Sequence, residues 1–213
     1  MQIDLQNIGR RFNRDWIFRN IDHAFFTGEN YAILGPNGSG KSTLLSVISG
    51  ALTPSEGTIG YVVDDKPVSP EFFYRHISIS APYLELIEEF TLEEMLDFHV
   101  RFKSLLPGLD REAVFTLLNL PQAKGKQIRH FSSGMKQRLK LALALFTDAS
   151  VVLLDEPCSN LDEQGIAWYR DLVARFGKER ILIIGSNQAH EYDFCRHQLH
   201  ITDYKPQRSA ARP

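Results

Sequence analysis

Lys41 and Ser42 close the spacing Gly35-x-x-x-x-Gly40-Lys41-Ser42, which is what a loop needs to wrap a chain of phosphates. Glycines let successive backbone N–H groups turn inward around phosphate oxygens, and a helix start adds its partial positive charge. In this spacing Lys41 reaches for β- and γ-phosphates, and the Ser42 hydroxyl is placed to ligate Mg²⁺. A second pair, Asp155-Glu156, directly follows the apolar run Val151–Leu154. Asp155 there would hold Mg²⁺ through water, and Glu156 would polarise an attacking water as a general base. A third group lies in Phe131-Ser132-Ser133-Gly134-Met135. Capping a helix accounts for Ser132 but does not need Gly134. A serine hydroxyl with an exposed glycine N–H at a helix start reads as a second anion site. The plain alternatives are a surface lysine on a strand–helix turn, a solvated Asp-Glu-Pro turn, and a cap that is only a cap.

The elements around these residues must position them. Tyr31–Leu34 reads as a buried strand, Gly35–Gly40 as a tight loop, and Lys41 onward as a helix with apolar Leu44, Leu45, Val47 and Ile48. Before them, Met1–Ile8 alternates like a half-buried strand, Ile17–Phe26 reads as another, and Gly28-Glu29-Asn30 turns the chain. Thr58–Val63 and His76–Ala81 read as strands on either side of a loop over Asp64–Pro70. Thr91 precedes Glu94 by three, the capping-box spacing, with apolar Leu92, Met95, Leu96 and Phe98 following. Asp110 caps a further helix through Leu118, so residues 83–130 read as an all-helical insertion. Beyond it come a helix to Phe146, a strand Val151–Leu154, a helix Gln164–Phe176 and a strand Ile181–Gly185. A short helix Gln188–Cys195 and a last strand Gln198–Thr202 complete the pattern. Alternating strand and helix in the second half predicts a parallel sheet covered by helices. Ligands of such sheets sit at the carboxyl ends of the strands. Gly35, Asp155-Glu156 and Ser186-Asn187 all fall at such ends.

Composition narrows the classes. The chain has 213 residues, 43% hydrophobic and 23% charged, with a net charge of −2. That is an ordinary globular composition able to bury a core, and it lacks the basic excess of a nucleic-acid binder. Cys158 and Cys195 show no metal-ligand spacing, which fits a reduced, cytosolic protein. The opening MQIDLQNIGRRF has no apolar core and is not expected to be a signal peptide. No apolar run reaches the roughly 20 residues of a membrane-spanning helix. Service to a membrane would therefore need another chain to cross it.

The order of these motifs resembles the ATP-binding subunit of ABC transporters over nearly the whole chain. Gly35, Pro36, Asn37, Gly38, Ser39, Gly40, Lys41, Ser42 and Thr43 reproduce that family's Walker A motif unchanged. Phe131–Met135 resembles its signature, usually LSGGQ: Ser132 and Gly134 match, while Ser133 and Met135 depart. Asp155-Glu156 is similar to its Walker B pair, and Ser159-Asn160-Leu161-Asp162 to its D-loop. Phe12 lies where the family keeps an aromatic that stacks on adenine; a core-facing phenylalanine is the equal alternative.

The resemblance implies an α/β fold: a P-loop NTPase core with a mainly parallel sheet, an N-terminal antiparallel β subdomain and an inserted α-helical subdomain. The chain is then one domain, with its core over 1–81 and 131–205, helical subdomain over 82–130 and a mobile tail over 206–213. It further implies ATP and Mg²⁺ as cofactors and a head-to-tail pair of domains, a homodimer here. ATP lies between Walker A of one copy and Ser132, Gly134 and Asp162 of the other. A transmembrane permease would dock on parts of 82–102, such as Tyr83, Leu84 and Leu86, placing the chain in the cytoplasm on the inner face of the membrane. No nucleic-acid partner is expected.

Two departures bear on rate. The family's glutamine at the junction with the helical insertion corresponds to Pro82, and its histidine after the following strand corresponds to Asn187. Proline has no side-chain acceptor, and asparagine can donate a hydrogen bond but not become cationic. Ser80, Glu85 and His190 are the nearby residues that could take these roles. The expected activity is Mg²⁺-dependent hydrolysis of ATP to ADP and phosphate, slow in the isolated chain, coupled to a separate permease. A soluble ABC-type ATPase without transport and a nucleotide-gated module that hardly hydrolyses are the alternatives.

Overall fold

The computed structural model describes residues 1–206; residues 207–213 of the expected tail lie outside them. In chain order the elements are β1 (Gln2–Phe12), β2 (Asp15–Phe26), β3 (Asn30–Leu34), α1 (Lys41–Ile48), β4 (Glu56–Val63), β5 (Lys66–Val68), α2 (Pro70–Phe73) and β6 (Ile77–Ser80). They continue with α3 (Leu92–Val100), α4 (Arg111–Leu118), α5 (Ser133–Phe146), β7 (Val151–Asp155), α6 (Glu163–Phe176), β8 (Ile181–Ser186), α7 (Ala189–Tyr192) and β9 (His197–His200).

The apolar runs of the second half form a five-stranded sheet in the order β6-β7-β8-β3-β9, parallel at every pairing. Except for the edge strand β9, its strands are buried on both faces, and alternate residues serve two different cores. Ala32, Leu34, Val152, Leu154, Leu182 and Ile184 pack on the side of α3 to α6. Tyr31, Ile33, Val151, Leu153, Ile181 and Ile183 pack against α1 and an antiparallel sheet of order β2-β1-β4-β5. The expected α/β architecture, a parallel core with an N-terminal antiparallel sheet and inserted helices, is the one observed. Between 82 and 130 the only regular elements are α3, α4 and single 3-10 turns. Thr91 begins α3 with a full capping box: its hydroxyl accepts from Glu94 N–H at 3.2 Å and its own N–H donates to the Glu94 carboxylate at 2.8 Å.

Three local expectations need correction. The loop expected over Asp64–Pro70 contains a hairpin: Asp64 and Asp65 take left-handed φ of 48° and 60°, and Val63 pairs with Lys66. Two consecutive left-handed residues make the two-residue turn that matches strand twist, a conformation aspartate tolerates. Pro67 disguised β5 in the sequence, yet an edge strand can carry a proline. The helix expected over Gln188–Cys195 is the single turn α7. The last strand ends at His200, because Ile201–Tyr204 closes as a 3-10 turn.

Candidate functional site

The loop between β3 and α1 is shaped by its own crowding. At Gly40, the residue before α1, φ is +113° and a Cβ would lie 2.5 Å from Ile17 Cγ2. At Gly35 a Cβ would lie 2.6 Å from Ser39 Oγ. Neither position tolerates a side chain. Lys41 is only 4% exposed. Its Nζ donates to Gly35 O at 2.9 Å and Pro36 O at 3.3 Å. The surface-lysine alternative is therefore wrong: the ammonium lies inside the loop. Ser39 Oγ is also buried, with no hydrogen-bond partner.

Parallel pairing brings the carboxylates to the same edge. Asp155 ends β7 opposite Gly185 of β8 and is 2% exposed. Burial pushes its pKa up, and Glu156 and Glu191 add to the rise; the Ser42 hydroxyl beside it and the Lys41 charge pull it down. Its Oδ1 has no hydrogen-bond partner. A buried carboxylate oxygen left orphaned next to a serine hydroxyl is a hard-oxygen donor set, the kind that suits Mg²⁺. Glu156 follows in a left-handed conformation, φ 45°, with its N–H donating to Gly185 O at 2.8 Å. The turn after β7 is thus structured and not merely solvated.

Asn187, just past β8, meets the loop directly: its Nδ2 donates to Asn37 Oδ1 at 3.1 Å. Pro82 is exposed, and only its carbonyl is engaged, accepting from Lys140 Nζ at 3.3 Å. Ser80, one of the residues considered as a substitute, is buried at the end of β6 with an unpartnered hydroxyl. His190 faces elsewhere, its ring clustering with Cys158 and Glu191 within 4.8 Å. Both oxygens of Glu191 are already taken by hydrogen bonds to Cys158 N–H and the Ser186 hydroxyl, so that trio is a structural knot. Phe12 ends β1 at 46% exposure, with the Arg10 guanidinium 4.7 Å above its ring. The core-facing reading of Phe12 fails.

Ser132, Gly134 and Asp162 form a separate group. Ser132 caps α5, its hydroxyl accepting from Met135 N–H at 3.2 Å. Asp162 caps α6, accepting from Gly165 N–H at 2.7 Å. Gly134 has a reason the sequence hid: a Cβ there would lie 2.9 Å from the Asn160 carbonyl. The start of α5 and the segment 160–162 share one groove, lined also by Arg138 and Trp168. None of the residues of the Gly35–Thr43 loop lines it. Within one chain the two anion-binding candidates stay apart. Gln137, unremarkable in sequence, is buried and donates to Pro157 O at 2.8 Å, tying α5 to the turn after β7.

A second groove opens between β6 and α3, lined by Leu84, Leu86, Met95, His99 and Lys140 among others. Leu84 of this lining is exposed, as is its neighbour in the chain, Tyr83. Among the described residues no helix is long and apolar enough to cross a membrane.

Comparison with known proteins agrees with this arrangement. The family model for the ABC transporter matches residues 18–159. An uncharacterized ABC transporter ATP-binding protein of Bacillus subtilis, YybJ, is 29% identical over 184 residues, covering 85% of this chain and 83% of the relative. The Nod factor export ATP-binding protein I of Burkholderia orbicola is 32% identical over 180 residues, covering 81% of this chain but only 59% of that protein's length. A dimeric bacterial ABC transporter cassette shares the fold with a TM-score of 0.75 at 20% identity, covering 93% of this chain and 94% of that one. A loop built around a buried lysine, an orphaned aspartate oxygen beside Ser42 and a matching family model lead to one conclusion: the chain belongs to the ABC transporter family, among its ATP-binding proteins.

Proposed function

We propose that two copies of this chain hold ATP and Mg²⁺ between them, hydrolyse the ATP, and pass closure of the pair to a separate membrane permease. The observation that carries this reading is the meeting of Lys41, Asp155 and Asn187 at one edge of the parallel sheet. On binding, Lys41 exchanges the carbonyls of Gly35 and Pro36 for phosphate oxygens, so its positive charge is already in place. The backbone of Gly35–Gly40, with Ser42 and Thr43 at the start of α1, cradles the phosphates. Ser42 and Asp155 are the residues to hold Mg²⁺, which supplies charge neutralisation at the β- and γ-phosphates. Glu156 takes the proton of the attacking water. The amide of Asn187 donates toward the γ-phosphate, and the exposed ring of Phe12 offers a face for adenine.

The separation of Ser132, Gly134 and Asp162 from the loop of their own chain supports a head-to-tail homodimer, in which these residues complete the partner's site. The relative solved as a dimeric cassette has the same fold. The groove between β6 and α3, with Tyr83, Leu84 and Leu86, is the proposed seat of the permease within 82–102. On this reading the chain works in the cytoplasm, peripheral on the inner face of the membrane. Hydrolysis by the isolated chain is slow, because Pro82 offers no side-chain acceptor and Asn187 no positive charge. The testing experiment is purification of the tagged chain from its native membranes, with ATP turnover measured on the product. A co-purifying polytopic membrane protein and Mg²⁺-dependent release of phosphate are expected. A chain that comes down alone and turns over ATP freely would instead favour a soluble ATPase.

A further inference from the structure

Glu191 is 0% exposed yet lies on the single turn α7, in a stretch whose sequence is otherwise polar. A carboxylate is almost never fully buried without dedicated partners. Its partners come from two different parts of the site. One oxygen accepts from Cys158 N–H at 2.7 Å; the other accepts from the Ser186 hydroxyl. Cys158 lies two residues after Glu156, and Ser186 lies one before Asn187. The surroundings fix α7 in turn: the Tyr169 hydroxyl donates to Glu191 O at 2.9 Å, and Arg170 Nη1 donates to His190 O at 2.8 Å and Asp193 Oδ1 at 2.7 Å.

We propose that Glu191 is a positioning residue for hydrolysis: its carboxylate spans from Cys158 to Ser186 and so locks the turn carrying Glu156 against the strand end carrying Asn187. The left-handed backbone at Glu156, φ 45°, is uncommon for a residue with a side chain and persists only where neighbours over-determine it. It is held on one side by its own N–H on Gly185 O at 2.8 Å, and on the other by Glu191 through Cys158. Between Glu156 and Cys158 the same segment is tied to α5 by Gln137 on Pro157 O. Glu191 therefore stands where the turn after β7, the loop of Asn37 reached through Asn187, and the start of α5 are coupled. Burial raises its pKa, while the Ser186 hydroxyl and the Cys158 N–H lower it. The inference rests on the reading of Glu156 as the base, and its test has a readout that does not.

That readout is the thiol of Cys158, buried at the clamp. In a Cys195→Ser background, Cys158 is the single thiol, and its labelling rate by a maleimide reports opening of the turn in the full chain without nucleotide. Glu191→Ala leaves Cys158 N–H unpartnered and is expected to raise that rate about tenfold or more. It is also expected to lower kcat about tenfold or more while KM for ATP stays within about twofold, the split that marks loss of a transition-state arrangement. Glu191→Gln keeps an acceptor for Cys158 and a donor for Ser186, and is expected to restore both readouts to near the parent. Should Glu191→Ala fail to fold, Glu191→Asp, one methylene too short to span both partners, is expected to show the same two changes. Labelling at the parent rate with unchanged kcat in a folded Ala or Asp variant overturns the clamp. So does a loss of stability that Gln fails to rescue. A parent without turnover counts against hydrolysis itself, and labelling then decides the clamp alone.

Discussion

Asn187 Nδ2 donates to Asn37 Oδ1 at 3.1 Å, joining the end of β8 to the loop before α1. One of the two amide protons is thereby committed. The contact holds the Asn187 side chain at the site without nucleotide, but it supplies no positive charge.

Pro82→Gln and Asn187→His together are expected to raise steady-state turnover of the purified chain about tenfold or more, since catalysis of phosphoryl transfer is mainly positioning and electrostatics. Each single change is expected to give part of the gain. A parent already as fast as the double variant would show that neither position limits the rate.

Lys41→Ala is expected to weaken ATP binding by roughly 10- to 150-fold, the range that corresponds to about 1.5–3 kcal/mol for a charged hydrogen bond. The lysine is buried, so water cannot readily take its place. Equilibrium titration with a fluorescent ATP analogue measures this, and unchanged affinity would falsify the assignment of the loop.

Glu156→Gln is expected to keep nucleotide affinity within about twofold and to lose nearly all turnover, because glutamine is close in shape but a very poor base. The variant should accumulate as an ATP-bound dimer on size exclusion with light scattering. If it stays monomeric at saturating ATP while the parent turns over, the paired-site arrangement is wrong for this chain.

Gly134→Ala places a methyl group 2.9 Å from the Asn160 carbonyl. Either α5 or the segment 159–162 must shift, at a cost of about 1–3 kcal/mol by overpacking. Denaturant melts should show that loss, and ATP-driven pairing in the Glu156→Gln background should weaken. Nucleotide affinity of the single chain should not move, because the loop of Lys41 lies elsewhere. Unaltered pairing would remove Gly134 from the shared site.

What the sequence determined on its own was whatever is written in contiguous residues. The glycine spacing before Lys41, the short apolar runs of β3, β7 and β8, and the Thr91–Glu94 capping box are all local. Each is written in neighbouring residues as a spacing or an unbroken apolar run, and holds in any context. From these the α/β fold and the three strand ends that carry the candidate site were legible. Even there, Pro67 hid an edge strand that only its partner Val62 reveals. Tertiary structure alone decided which polar groups meet. Nothing near Glu191 announces a buried carboxylate; it becomes one because β8 and the turn after β7 converge on it with a hydroxyl and an N–H that need an acceptor. Nothing near Gly134 announces the Asn160 carbonyl, and nothing near Phe12 says whether its ring faces core or solvent. Lys41 could be matched to a motif by spacing, but its burial against Gly35 and Pro36 carbonyls follows from the closure of the loop in space. A linear pattern sets which element a residue joins, whereas its partners are set by packing between segments far apart in the chain.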